Sequence, residues 1–444
     1  MVNKNIIFIF VSIVVNLFLG VLVVPLLSWM TTPEDLGLIN FNINLLLVFL
    51  VILTFGYDQV YIREYAENQG IVFFKFCVFR STVFFLLMSP IVYFLFNEYL
   101  YVYFVGYTAV IVRYLSLVPR MQGNMKVFSI LNILPKLYIF LVLLGFFVYN
   151  LNIDLNTYLN CIVGVNLLII ITGLYFLKFN NYDKEKKIKE WDSFKYGIYM
   201  TISILLYYVI VTSSYWVLNM QSKIMDMTYL GLIVSCGAIL GILQSIFSII
   251  YAPMVFRNKN GNKKLAFDIV GLSAIFLILI ASIFSPLFKF ILPSIYHDLI
   301  NVMYMGFYIP VLYVFMEISS VNLNLYKKNK YILISNLVAV FFQGFLYFIF
   351  WSELNFIYCL HIAIFSIFLS ILLKSYFLNK FSPLYKIKIF NIYIVVLFVL
   401  YLIFSFFDDV YYLYILITIL LLLFFNNKLR EVLFISKRIL KNDI

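Results

Sequence analysis

The chain is poor in charge, histidine and cysteine. Asp, Glu, Lys and Arg together make up 12% of its 444 residues, with two histidines and four cysteines. So little charge cannot cover a water-soluble globule with polar surface. The cysteines, Cys77, Cys161, Cys236 and Cys359, all fall in apolar stretches. A reduced thiol there behaves as a small apolar residue, and their spacing suggests neither a disulfide nor a metal site. His361 has no partner histidine or cysteine in its stretch, so packing is its expected role. No cofactor is expected.

What the chain has instead is 64% hydrophobic residues and a mean hydropathy of +1.02, arranged in runs of about twenty residues. The pattern predicts an all-α polytopic membrane protein of about fourteen transmembrane helices. The first run, roughly 6–28, is too long for a signal-peptide core and reads as a retained span. The others cover roughly 38–57, 72–96, 99–118, 127–149, 157–179, 195–219, 229–256, 266–292, 299–323, 331–351, 354–377, 389–407 and 410–426.

A net charge of +12 would suggest nucleic acid in a soluble protein. Here the cations sit in alternate short breaks between spans, facing membrane lipids, and no nucleic-acid partner is expected. With the N-terminus in the cytoplasm, Arg63, Arg120, Lys126, the 183–189 run, Arg257, Lys263, Lys327, Lys380 and the C-terminal tail all fall inside. The opposite loops offer chiefly Lys223. This asymmetry predicts cytoplasmic termini.

The longest break divides the first twelve spans into six plus six. The expected organisation is a six-helix lobe (1–180), a cytoplasmic linker (181–194), a second six-helix lobe (195–377), an additional helix pair (389–426) and an amphipathic cytoplasmic tail (427–444). Across the linker, Leu36-Gly37-Leu38-Ile39 recurs as Leu230-Gly231-Leu232-Ile233, Tyr57 as Tyr251 and Arg63 as Arg257, each 194 residues on. Six is even, so both lobes enter the membrane in the same direction. The repeat predicts a pseudo-two-fold along the membrane normal, suited to lobes rocking about a central cavity.

The stretch Thr32-Pro33-Glu34-Asp35-Leu36-Gly37, followed by Phe55-Gly56-Tyr57-Asp58-Gln59-Val60-Tyr61-Ile62-Arg63-Glu64-Tyr65, resembles the polysaccharide and O-antigen flippases. These form part of the multidrug/oligosaccharidyl-lipid/polysaccharide (MOP) exporter superfamily. In the second half, Tyr251-Ala252-Pro253-Met254-Val255-Phe256-Arg257 resembles the same family's aromatic-x-Pro-x-x-x-Arg signature. The resemblance covers about the first 380 residues. It implies a non-enzymatic flippase of the bacterial inner membrane that moves an undecaprenyl-diphosphate-linked oligosaccharide outward. Helices one, two, seven and eight would line its cavity. It further implies a coupling ion, proton or sodium, and polymerase or chain-length proteins as partners. Two departures stand out. O-antigen flippases usually have twelve spans, so the last pair resembles that of longer exporters and lipid II flippases. The seventh span reads Ser213-Ser214-Tyr215-Trp216 where many relatives carry an Asp-Arg pair.

A diphosphate crossing hydrocarbon needs cations within the membrane. Arg80 lies about 12 Å and Lys136 about 14 Å into their spans from the cytoplasmic side, and Arg113 lies in the cytoplasmic half of the fourth. Arginine grips phosphate oxygens bidentately and lysine supplies a mobile charge. Alternatively, each side chain snorkels to the inner headgroups. Asn16, Asn44, Tyr207, Tyr215 and Gln244 offer sugar-binding amides and aromatic hydroxyls, or interhelical hydrogen bonds. Glu317 is the clearest carboxylate within a span, fit either to couple an ion or to pair with Lys327. Asp58, Arg63, Glu64 and Arg257 lie where a cytoplasmic gate would close, or where loop charges set topology.

Two rival functions stand beside the flippase. A drug/cation antiporter of the same superfamily would favour carboxylates in its cavity. A membrane glycan polymerase would carry a large outward loop, and every outward loop here is short.

Overall fold

The computed structural model describes residues 2–58, 70–121, 124–176, 190–241, 243–244, 263–325, 328–381 and 387–406. The described residues form thirteen α-helices and no strand. They are α1 (Val2–Ser28), α2 (Pro33–Thr54), α3 (Gly70–Leu95), α4 (Leu100–Met121), α5 (Met125–Val148), α6 (Leu155–Phe176), α7 (Glu190–Met220) and α8 (Ile224–Gly237). They continue with α9 (Lys263–Phe284), α10 (Met303–Leu325), α11 (Asn329–Ile349), α12 (Phe356–Phe381) and α13 (Ile387–Phe406). Eleven helical stretches among the described residues are long and apolar enough to cross a membrane. Each of the first thirteen hydropathy runs overlaps a described helix, the eighth only as far as Gly237. The fourteenth, the 427–444 tail and most of the linker lie outside the described residues.

Apolar side chains stand out from these helices instead of retreating from solvent. Phe94, Phe290 and Phe348 are each at least 80% exposed, which in water would be an aggregation hazard and in lipid is the expected outer surface. The chain is therefore a multi-pass membrane protein.

The helices group into two compact units, Lys4–Thr228 and Tyr229–Ile444, the second including the first three residues. The 1–180 segment thus shares its unit with α7 and the first turn of α8.

In the first unit, α2 packs against α4 and α7, and α4 also against α3, α5 and α6. Local chemistry fixes where α2 begins. Thr32, in extended conformation, is its N-cap: Oγ1 accepts the Asp35 backbone N–H at 3.1 Å, and Pro33 follows at the first helical position. Gly37, one turn later, lets α2 touch the start of α8, because a Cβ there would lie 2.7 Å from the Ile224 carbonyl oxygen. Thr228 Oγ1 donates to the Pro33 carbonyl and locks the same contact.

In the second unit, α12 packs against α10 and α11, and α9 against α13. Gly237 sits where α8 crosses α10 backbone to backbone. A Cβ on it would fall 2.0 Å from the Gly306 carbonyl oxygen. His361 of α12 pairs through Nδ1 with the Tyr401 hydroxyl of α13. Pro25, Pro90, Pro135 and Pro310 all lie inside helices that continue past them.

Candidate functional site

The polar centre of the first unit begins where α2 ends. Phe55 takes a left-handed conformation (φ 46°) and Gly56 another (φ 68°), and the Phe55 N–H closes the helix on the Val51 and Ile52 carbonyls. A left-handed phenylalanine costs about 1–2 kcal/mol. The reversal aims Tyr57 and Asp58 at α3 and α4. Tyr57 meets the Phe76 ring edge-on, centroids 5.7 Å apart, and its carbonyl accepts the Cys77 thiol at 3.7 Å. Tyr114 of α4 anchors the same corner, its hydroxyl 2.9 Å from Ser81 Oγ and donating to the Thr54 carbonyl at 3.3 Å.

Asp58 is then 4% exposed, and its Oδ2 accepts both Arg113 Nε, at 2.9 Å, and Nη2, at 2.6 Å. Such charge-assisted bonds are about twice as strong as neutral ones. Arg113 is 42% exposed, so three of its five N–H donors are not engaged by Asp58. Tyr208 of α7 lies close enough to interact electrostatically with both members of the pair. Arg80 stacks over Phe76, Cζ 5.3 Å from the ring centroid, the same ring that Tyr57 touches. The structure therefore gathers Asp58, Arg80 and Arg113 at one corner, joined through Phe76 and Tyr57.

Lys136 lies on α5. Its side chain is exposed, and its Cε passes 4.0 Å from the place where Gly20 of α1 would carry a Cβ. One helical turn from Gly20, the Asn16 side-chain oxygen is buried and has no hydrogen-bond partner among the described residues. The absence of a side chain at residue 20 thus leaves room for a cation beside an unused acceptor.

Elsewhere on α2, Asn42 Nδ2 donates to the Leu38 carbonyl and Asn44 Nδ2 to the Asn40 carbonyl, each at 2.8 Å. Asn44 also lies beside Tyr215, which is buried on α7. Tyr207 is half-buried with its ring edge-on to Tyr208. Gln244 and Glu317 are half-buried in the second unit. Arg63, Glu64 and Arg257 lie outside the described residues. Asp58, expected at a gate, and Arg113, expected at a headgroup, turn out to be one ion pair. Sequence reading passed over Tyr208 and also Lys374, which is 1% exposed on α12. The four-residue spacing of Ser366, Ser370 and Lys374, one face of a helix, was the available signal.

No protein-family model matches the sequence, and no curated protein does. Solved structures do match. The lipid II flippase MurJ in its inward closed conformation superposes over 97% of this chain and 99% of its own, at TM-score 0.57 and 16% identity. The MATE multidrug transporter DinF-BH covers 88% and 96%, at TM-score 0.55 and 13% identity. An outward-facing MATE multidrug transporter of the MOP superfamily covers 85% and 95%, at TM-score 0.52 and 13% identity. The chain is thus a multi-pass membrane protein with the fold of the MOP exporter superfamily.

Proposed function

We propose that the chain is an alternating-access flippase that carries an undecaprenyl-diphosphate-linked oligosaccharide, an O-antigen or capsule/exopolysaccharide repeat unit, across the bacterial inner membrane, with both termini cytoplasmic. The observation that carries this reading is Arg113. It is a guanidinium within a span, oriented by a buried carboxylate that occupies only part of its donor set. Asp58 holds the arginine in place, and the remaining N–H groups suit phosphate oxygens. Arg80 adds a second cation at the same corner. Lys136 and Asn16 supply a further charge and an amide acceptor. In this reading Asn44, Tyr207, Tyr215 and Gln244 contact sugar, Glu317 couples transport to an ion, and Arg63, Glu64 and Arg257 act with Asp58 at the cytoplasmic gate.

Surface glycan display in a flippase-deficient strain tests it, with membrane protein levels measured in parallel. Joint replacement of Arg80, Arg113 and Lys136 by Ala should lower display by far more than it lowers the protein level. Full display would mean that these cations only snorkel.

A drug/cation antiporter is the second reading. It is favoured by the fold shared with the MATE transporters and by the buried carboxylate of Asp58. Efflux of a cationic dye without any glycan display would establish it in place of the flippase.

A further inference from the structure

The second unit buries an amine that none of the foregoing uses. Lys374 is 1% exposed on α12, and among the described residues no hydrogen bond, ion pair or aromatic face holds it. A charged ammonium in such a place costs several kcal/mol unless it is paired, whereas a neutral amine does not.

Its surroundings are not simply apolar. Ser366, Ser370 and Lys374 follow one another on a single face of α12, all buried. Across from them on α11, Ser335 and Asn336 are buried, and Ser370 Oγ donates to Asn336 Oδ1 at 2.9 Å. Leu378 of α12, Leu323 of α10 and Ile332 of α11 form one cluster. One turn further along each helix brings Lys374, Ser319 and Asn336 to a common level. The hydroxyl hydrogens of Ser319 and Ser335 are already given to their own helices, on the Phe315 and Tyr331 carbonyls. What these serines have left to offer is oxygen lone pairs, the groups that an ammonium needs and a neutral amine does not.

Among the described residues no counter-charge pairs with Lys374. Glu317 of α10 is two residues from Ser319, about 200° round the helix, on another face. Lys330 and Tyr347 of α11 lie about 9 Å and 16 Å along the axis from Asn336. His361, about 20 Å along α12, is paired with Tyr401 of α13.

We propose that Lys374 is a proton-binding site of this transporter, its amine taking up one proton to become an ammonium when the α10–α11–α12 seam opens and returning that proton when the seam closes. The inference rests on the transporter reading above and adds a coupling site away from Glu317.

The test uses the full-length protein. Purified wild type, Lys374→Met and Lys374→Gln are compared by unfolding temperature across neutral pH. Met keeps the volume and Gln keeps polarity, so at least one is expected to fold. Wild type should show a pH-dependent shift that both neutral variants lose. Profiles of the same shape in all three would overturn the proposal. In the glycan-display strain, a protonophore should lower wild-type display severalfold, and Lys374→Arg, which holds a permanent charge, should lose display. Wild-type display that ignores the protonophore, together with unchanged unfolding profiles, would sink the proton site and leave the flippase reading intact. A Lys374-dependent unfolding profile in a protein that displays no glycan would do the reverse.

Discussion

Asp58 takes two hydrogen bonds from Arg113 on a single carboxylate oxygen, Oδ2, although the two residues are 55 apart in sequence and unequally buried, at 4% and 42% side-chain exposure. The pair ties the end of α2 to the middle of α4. Its asymmetry matters, because within the pair the carboxylate is buried whereas the arginine is partly exposed.

Arg113→Ala should therefore destabilise the protein more than Asp58→Ala. Stranding the buried carboxylate is expected to cost about 3 kcal/mol, while the exposed guanidinium left by Asp58→Ala is screened and costs less. Unfolding of both single variants and the double variant in detergent measures the difference. Equal losses would show that the carboxylate is better solvated than its burial implies.

Three glycines should respond in three ways to alanine. Gly237→Ala drives a methyl into the Gly306 backbone carbonyl, and Gly37→Ala into that of Ile224. Each should cost about 1–3 kcal/mol or more, the first exceeding the second. Gly145 has nothing within 4 Å of its Cβ position, so Gly145→Ala should gain about 0.5 kcal/mol through helix propensity. Thermal unfolding of the three variants ranks them.

The site at Gly20 can be closed without touching a charge. Gly20→Ala meets Lys136 only at ordinary contact distance and should be tolerated. Gly20→Leu should displace the lysine and reduce glycan display as far as Lys136→Met does, at normal protein level. Unchanged display with Leu would remove Lys136 from the transport path.

Reporter fusions after Asn181 and after Ile444 should both read cytoplasmic, since Lys and Arg concentrate in alternate breaks. A periplasmic signal at either point would overturn the topology.

Hydropathy located every described helix because a span must satisfy its backbone internally and expose apolar side chains to lipid, and both demands are local. The start of α2 is set just as locally, by Thr32, Pro33 and Asp35 within one turn, although hydropathy put the start of that run at 38. The repeat at Gly37 and Gly231 remains an expectation. Only the Gly37 side of it has a described close contact, and that is with Ile224 and Thr228.

The sequence by itself determined that this is a many-spanned helical membrane protein and which cations lie within its spans. It could not decide what those cations meet. Arg113 and Lys136 read as isolated charges in apolar runs, and Lys374, a third, was passed over. Tertiary packing gave the first a buried carboxylate from another helix, the second the open place beside Gly20 and the third a polar seam in which no described residue supplies a counter-ion. The reason is physical: hydropathy sums over neighbours along the chain, whereas the cost of a buried charge depends on groups brought near by helix packing, dozens of residues away.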